Sequence, residues 1–208
     1  MKKHPEITAQ TRETMTQAFL ELYRTKKLEH ITVKEIVAKA GYNRSTFYLY
    51  FKDTADVLEQ LEENLLIQLK ATMNSDGLSW SFQHLTANLI ALYQSPQVDL
   101  LCLLLGENGD PLFARKLKDT IRPIFLNVLG LSDQDKHTSY LWEILFSLGI
   151  TTLLNWYKNE QDLPADELIS MGQSILMHGL LPVIMQYSTG IKITHLPVPY
   201  DGSLPPTK

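Results

Sequence analysis

Residues 32–51 read TVKEIVAKAGYNRSTFYLYF, and this segment decides the fold. Thr32 and Glu35 are spaced as a capping box. The threonine oxygen accepts from the Glu35 amide, and the glutamate reaches back to the Thr32 amide. Val33, Ile36, Val37 and Ala40 then share one helical face, with Lys34 and Lys39 elsewhere on the helix. Gly41 stops that helix where a left-handed backbone is cheap only for glycine. Asn43 is placed to cap a second, short helix that opens with Arg44, Ser45 and Thr46 and turns Phe47 inward. Asp53 suits the N-cap of a further helix. Two short helices meeting at one glycine, the second polar at its start and aromatic at its end, have the layout of a helix-turn-helix. That unit places side chains in the major groove of DNA.

Working outward, the first helix carries Met15, Ala18, Phe19, Leu22 and Tyr23 at i, i+3, i+4, i+7 and i+8, a stripe expected to close over the motif. The helix after Asp53 carries Val57, Leu58, Leu61, Leu65, Leu66 and Leu69 and is expected to run to Thr72. Asn74-Ser75-Asp76-Gly77 reads as a loop. Beyond it, helices are expected over about 80–93, 97–105, from Pro111 onward with Asp110 as cap, from the cap at 132–135 to about 159, and over 164–186. Pro123 is expected to kink or end the third of these. The whole is all-α. The expected organisation is a helix-turn-helix domain at 1–52, a connecting helix at 53–72, a regulatory and dimerisation domain at 73–188, and a Pro-rich tail at 189–208.

The run Ile36–Asp53, IVAKAGYNRSTFYLYFKD, resembles the DNA-binding domain of the TetR family of bacterial transcriptional regulators, over about residues 8–66. The Thr-Phe-Tyr-x-x-Phe tail makes this resemblance far more specific than a generic helix-turn-helix. Val37 stands where the family commonly has alanine, so a slightly wider helix crossing is expected. Tyr50 replaces a frequent histidine, and Thr54 or Ala55 takes the place of a lysine, whose phosphate contact Lys52 is positioned to replace. The run Leu105–Pro111, LGENGDP, with Phe113 and Lys116-Leu117, is similar to the C-terminal region of a subset of that family.

Charge divides unevenly. Residues 1–52 hold ten Lys/Arg and five Asp/Glu, whereas 53–208 hold nine and eighteen, so the net −4 hides a basic head on an acidic body. A basic head is drawn to phosphates. An ordinary solvated lysine face is the alternative that charge alone leaves open. Arg44 is the candidate for base readout, because arginine forks onto guanine; a phosphate contact is its alternative. Ser45, Thr46 and Leu49 are candidates for further groove contacts, and Lys34, Tyr48, Tyr50 and Lys52 for the DNA backbone.

The resemblance implies a homodimer on a palindromic operator, acting as a repressor released by a small-molecule effector. Leu141, Ile144, Leu145, Leu148, Leu153 and Trp156 on one long segment, and Ile169, Ile175, Leu176 and Leu180 on the next, are expected to be divided between core and dimer interface, with a wholly intradomain core as the alternative. Trp80, Tyr93, Phe113, Trp142 and Phe146 are candidates for an effector pocket, with plain core packing as the alternative. A co-regulator that keeps the head but acts by binding another protein is the rival function.

Enzymatic roles find no support: there is no metal-spaced Cys/His cluster, phosphate loop or nucleophile motif, so no cofactor or metal is expected. The one cysteine, Cys102, lies in an apolar run and reads as a buried hydrophobe. Without a secretion signal, an apolar span of ~18 residues or a disulfide framework, a soluble cytoplasmic protein is expected.

Overall fold

The computed structural model describes residues 5–74 and 82–180, and among these every regular element is helical. The helices are α1 (Pro5–Tyr23), α2 (Val33–Ala40), α3 (Arg44–Phe47), α4 (Thr54–Asn74), α5 (Phe82–Tyr93), α6 (Gln97–Leu105), α7 (Pro111–Leu129), α8 (Lys136–Lys158) and α9 (Ala165–Ile175). A short 3-10 turn, Leu28–His30, joins α1 to α2, and a π-helical turn, Leu176–Leu180, follows α9. Asn74, expected to open a loop, is instead the last residue of α4; the rest of that loop at 75–77, the last helix beyond residue 180 and the tail at 189–208 lie outside the described residues.

Contacts group the chain into two compact units. The first runs to Ile67 and takes in Leu103–Ala114; the second comprises Gln68–Cys102 and the chain from Arg115 on. In the first, α1 packs on α2 through the expected stripe. Met15, Phe19 and Tyr23 are buried, the last two with stacked rings 5.5 Å apart. Ile36, Phe47, Val57, Leu58 and Leu65 join this core, as do Leu104 and Phe113. Glu62 is buried in it as well, at 1% exposure, although its sequence context is that of a solvated helix face. Burial, with the nearby charges of Glu62 and Asp110, pushes the Tyr23 phenol up to about 12.

The turn between α6 and α7 is built around Gly109, whose amide donates to the Gly106 carbonyl at 2.9 Å. A Cβ at Gly109 would meet the Leu104 carbonyl oxygen at 2.0 Å, a backbone atom that cannot step aside. Asp110 caps α7 by accepting from the Leu112 amide at 2.8 Å.

In the second unit Leu126, Leu129, Leu131 and Leu141 form a core cluster with Phe125, Leu145 and Leu176 against it. Pro123 does not end α7, which continues to Leu129. Burial of Leu117 and Leu126 on either side of the proline outweighs its helix-breaking cost. Asp135 caps α8 through the His137 amide. The Trp156 indole donates to the Leu163 carbonyl at 2.8 Å, fixing the turn into α9. Cys102 is buried, and burial pushes its thiol up to about 12, so it stays protonated. Among the described residues no single helix is long and apolar enough to cross a membrane.

Replacing Gly109 by alanine is expected to destabilise the protein by about 1–3 kcal/mol, the usual cost of forcing atoms into filled space. Thermal unfolding of the variant checks this. An unchanged midpoint would mean that the turn opens freely.

Candidate nucleic-acid interface

The helix-turn-helix is specified almost entirely by local bonds. Thr32 Oγ1 accepts from the Glu35 amide at 3.3 Å, and Glu35 Oε2 accepts from the Thr32 amide at 2.9 Å, closing the capping box. Lys26 donates to Glu35 Oε1 at 2.6 Å. That bond, and those from Thr32, hold the Glu35 carboxyl at about 2 against an ordinary 4.5. Gly41 adopts φ 75°, and the Tyr42 amide returns to the Val37 carbonyl at 2.9 Å. Asn43 Oδ1 then accepts three bonds: from Ser45 Oγ at 2.6 Å, the Thr46 amide at 2.8 Å and Thr46 Oγ1 at 2.9 Å.

The α-helical part of α3 is one turn. Its continuation is tighter, with the Leu49 amide bonding Thr46 and the Tyr50 amide bonding Phe47, before the Phe51 amide also returns to Phe47. Phe47 and Phe51 are buried with ring centroids 5.3 Å apart, which anchors the turn and orients its other side chains. Asp53 caps α4 through the Asp56 amide at 2.8 Å, and Asp56 accepts from the Lys52 amide at 2.7 Å.

This scaffold leaves Lys34, Arg44, Ser45, Tyr48, Leu49 and Lys52 exposed, and Thr46 and Tyr50 half-buried. Leu49 is 61% exposed and Tyr48 57%, so neither serves the core. The cations fall into two sets. Lys26 is paired with Glu35 and Lys39 with Glu21, each at 2.6 Å. Lys34, Arg44 and Lys52 form no ion pair within 4 Å among the described residues, although the Lys52 charge helps to lower the Asp56 carboxyl. Tyr42, which the sequence reading did not single out, is also exposed between the glycine turn and the Asn43 cap. An aromatic residue just outside the helical periodicity was the available signal.

The family model for bacterial regulatory proteins of the tetR family matches residues 17–61. Residues 17–61 are a TetR-family domain. That family consists of transcriptional regulators rather than enzymes. The uncharacterized HTH-type regulator YvdT of Bacillus subtilis is 29% identical over 103 residues, which is 48% of this chain and 53% of that protein. The match thus spans about half the length of that relative. The dhaKLM operon transcriptional activator DhaS of Lactococcus lactis is 27% identical over 144 residues, 65% of this chain and 68% of its own. Among solved structures, a TetR transcriptional regulator from Streptococcus agalactiae superposes with a TM-score of 0.62 at 21% identity, over 83% of this chain and 96% of that one. The chain therefore has the all-helical TetR fold, with the TetR-type head followed by a helical C-terminal domain.

The second unit holds a partly open cavity of about 280 Å³, lined mostly by aliphatic and aromatic side chains. Tyr93, Trp142 and Phe146 lie in its wall. Phe113 does not: it is fully buried in the core of the first unit. Trp80 lies outside the described residues. The aliphatic wall residues, Leu69, Leu117 and Leu153 among them, carried no mark in the sequence that set them apart from ordinary core.

The lowered Glu35 value fixes the sign of a pH effect. A carboxylate favoured by the fold contributes stability above its unfolded value near 4.5 and loses it as pH falls towards 2. The stability gap between the wild type and Glu35→Gln is therefore expected to be widest above pH 4.5 and to close towards pH 2. Thermal melts across that range check it. A gap independent of pH would remove the charge from the account of this cap.

Proposed function

We propose that this protein is a DNA-binding transcriptional repressor that sits as a homodimer on a palindromic operator and is released by a small molecule. The observation that carries the reading is the set of cations, Lys34, Arg44 and Lys52, exposed with Tyr48 and Leu49 on one motif and in no ion pair within 4 Å among the described residues. In this reading Arg44 forks onto a guanine edge, Leu49 meets a thymine methyl, and Ser45 and Thr46 add groove contacts. Lys34, Tyr48, Tyr50 and Lys52 grip phosphates. Lys52 supplies the cation that Thr54 lacks. The motif at Leu105–Pro111, whose Gly109 is sterically required, supports the likeness to the subset of the family with a similar C-terminal region. Action on DNA places the protein in the bacterial cytoplasm.

Homodimerisation is supported by how the long helices divide their apolar residues. Leu141, Leu153, Trp156 and Ile169 are core of the second unit, and Leu145 and Leu176 are half-buried beside it. Tyr140, Ile144 and Leu148 recur every four residues on the outside of α8, and Met171 and Ile175 do so on α9. The Leu180 side chain lies outside the described residues. Two such faces bury one another in a four-helix arrangement, and two-fold symmetry then sets the two heads on half-sites about 34 Å apart.

The cavity is the proposed effector site. Helices α4, α6 and α7 each line it and each also contribute residues to the first unit, so a ligand that shifts them alters the heads' spacing.

Arg44→Ala is expected to cost about 1–3 kcal/mol on the operator and to relax sequence discrimination. Gel-shift titrations on operator and random duplexes check it, and equal losses on both would make Arg44 a phosphate contact. Wild-type affinity is expected to fall by about a thousandfold or more between roughly 50 and 200 mM salt. Insensitivity to salt would favour a protein partner over DNA. Ile144→Glu combined with Ile175→Glu is expected to turn dimer into folded monomer in sedimentation runs; an unchanged dimer would place the interface elsewhere.

A further inference from the structure

Three contacts at the start of α3 fix where two hydroxyl hydrogens point. The Thr46 amide donates to the Asn43 side chain at 2.8 Å, so the atom facing it is the oxygen and not the nitrogen. An amide oxygen carries no hydrogen. In the 2.6 Å contact with Ser45 Oγ and the 2.9 Å contact with Thr46 Oγ1, the hydrogen therefore comes from the hydroxyl. A hydroxyl has one hydrogen and two lone pairs, and here the hydrogen is used inside the motif. What Ser45 still offers to a partner is acceptor capacity alone.

Exposure singles out Ser45 from the pair. It is exposed, whereas Thr46 is half-buried. Tyr48 and Leu49, three and four residues on, share its side of the turn and are exposed as well. Arg44, exposed beside it, is its opposite in kind: a guanidinium has five donors and no acceptor. On the major-groove edge guanine N7 and O6, adenine N7 and thymine O4 accept, while adenine N6 and cytosine N4 donate. Phosphate oxygens accept. A serine hydroxyl that turned to a phosphate or to guanine would first break its bond to Asn43. One that accepts from an amino group keeps that bond, and the chain from base N–H through Ser45 to Asn43 Oδ1 strengthens along its length.

We propose that Ser45, held as an acceptor by Asn43, reads an exocyclic amino group in the major groove, adenine N6 or cytosine N4. Ser45 is then a specificity-determining residue, and Asn43 is the positioning residue behind it. The proposal rests on the DNA-binding reading above and gives it a polarity: Arg44 recognises acceptors, and the neighbouring serine recognises a donor.

The test starts from the duplex that the full wild-type chain selects out of random DNA. Along its half-site each adenine is replaced in turn by purine and each cytosine by 2-pyrimidinone, analogues that differ only by the missing amino group. Affinities of wild type and Ser45→Ala for each duplex form a double-mutant cycle, which cancels what the analogue does to the duplex itself. At one position, amino removal is expected to weaken the wild type about three- to tenfold beyond its effect on Ser45→Ala. At the others the two proteins are expected to respond alike. 7-Deazapurines, which lack the N7 acceptor, and methylphosphonate linkages, which lack the phosphate charge, are expected to show no coupling to Ser45. Asn43→Gly, glycine being an accepted N-cap, is expected to stay folded in thermal melts and to lose the preference at that one position, because the freed hydroxyl either donates or accepts there.

Coupling of Ser45 to a 7-deazapurine or a methylphosphonate would reveal a donating hydroxyl and overturn the proposal. So would the absence of coupling at every amino group, or an Asn43→Gly variant that keeps the preference or weakens at every position alike. A wild type that selects no sequence at all would instead bring down the DNA-binding reading itself, and the proposal with it.

Discussion

The structure of the head depends on one local constraint: the chain must reverse direction at Gly41 and start a new helix two residues later. The left-handed glycine and the Tyr42-to-Val37 bond make the reversal, and Asn43 Oδ1, accepting three bonds, makes the start. Phe47 and Phe51 then pin the inner side of the turn. With both the start and the inner face held, Arg44, Tyr48 and Leu49 are presented to solvent together. A recognition element of four α-helical residues would not hold its shape in isolation, because helix nucleation is costly. Here the caps and the buried aromatic pair replace the missing length.

Charge is sorted on top of that scaffold. Carboxylates take up Lys26 and Lys39, which steady the helices, while Lys34 and Arg44 on the outer face form no ion pair among the described residues. The acidic residues that give the chain its net −4 lie mostly after the head. Attraction to an anion is therefore local to the motif, even though the protein as a whole repels one. Whole-chain charge, read alone, gives the wrong sign for the proposed partner.

The parts legible in the sequence are those fixed by neighbours along the chain. The Thr32–Glu35 box, the Gly41 stop, the Asn43, Asp53 and Asp110 caps and the bounds of α6 follow from residue types a few positions apart, and each is found in the structure. What escaped was decided at long range. Glu62 follows the charged pattern of a solvated face and is nevertheless buried. Leu103–Ala114 lies deep in the body sequence yet groups with the head, and Phe113, within it, does not line the cavity. Of the two outcomes expected at Pro123, an ending of the helix is not found, since α7 continues to Leu129. Among the candidate interface residues, Leu141 and Ile144 look alike in sequence, and only packing separates the core residue from the exposed one.

Selection of bound sequences from a pool of random duplex DNA by the pure protein measures the central claim most directly. The expected result is a two-fold repeated sequence with half-sites one helical turn apart, about 10 base pairs centre to centre. A pool left unenriched, or enriched for a sequence with no internal symmetry, would contradict the account of two heads reading successive major grooves.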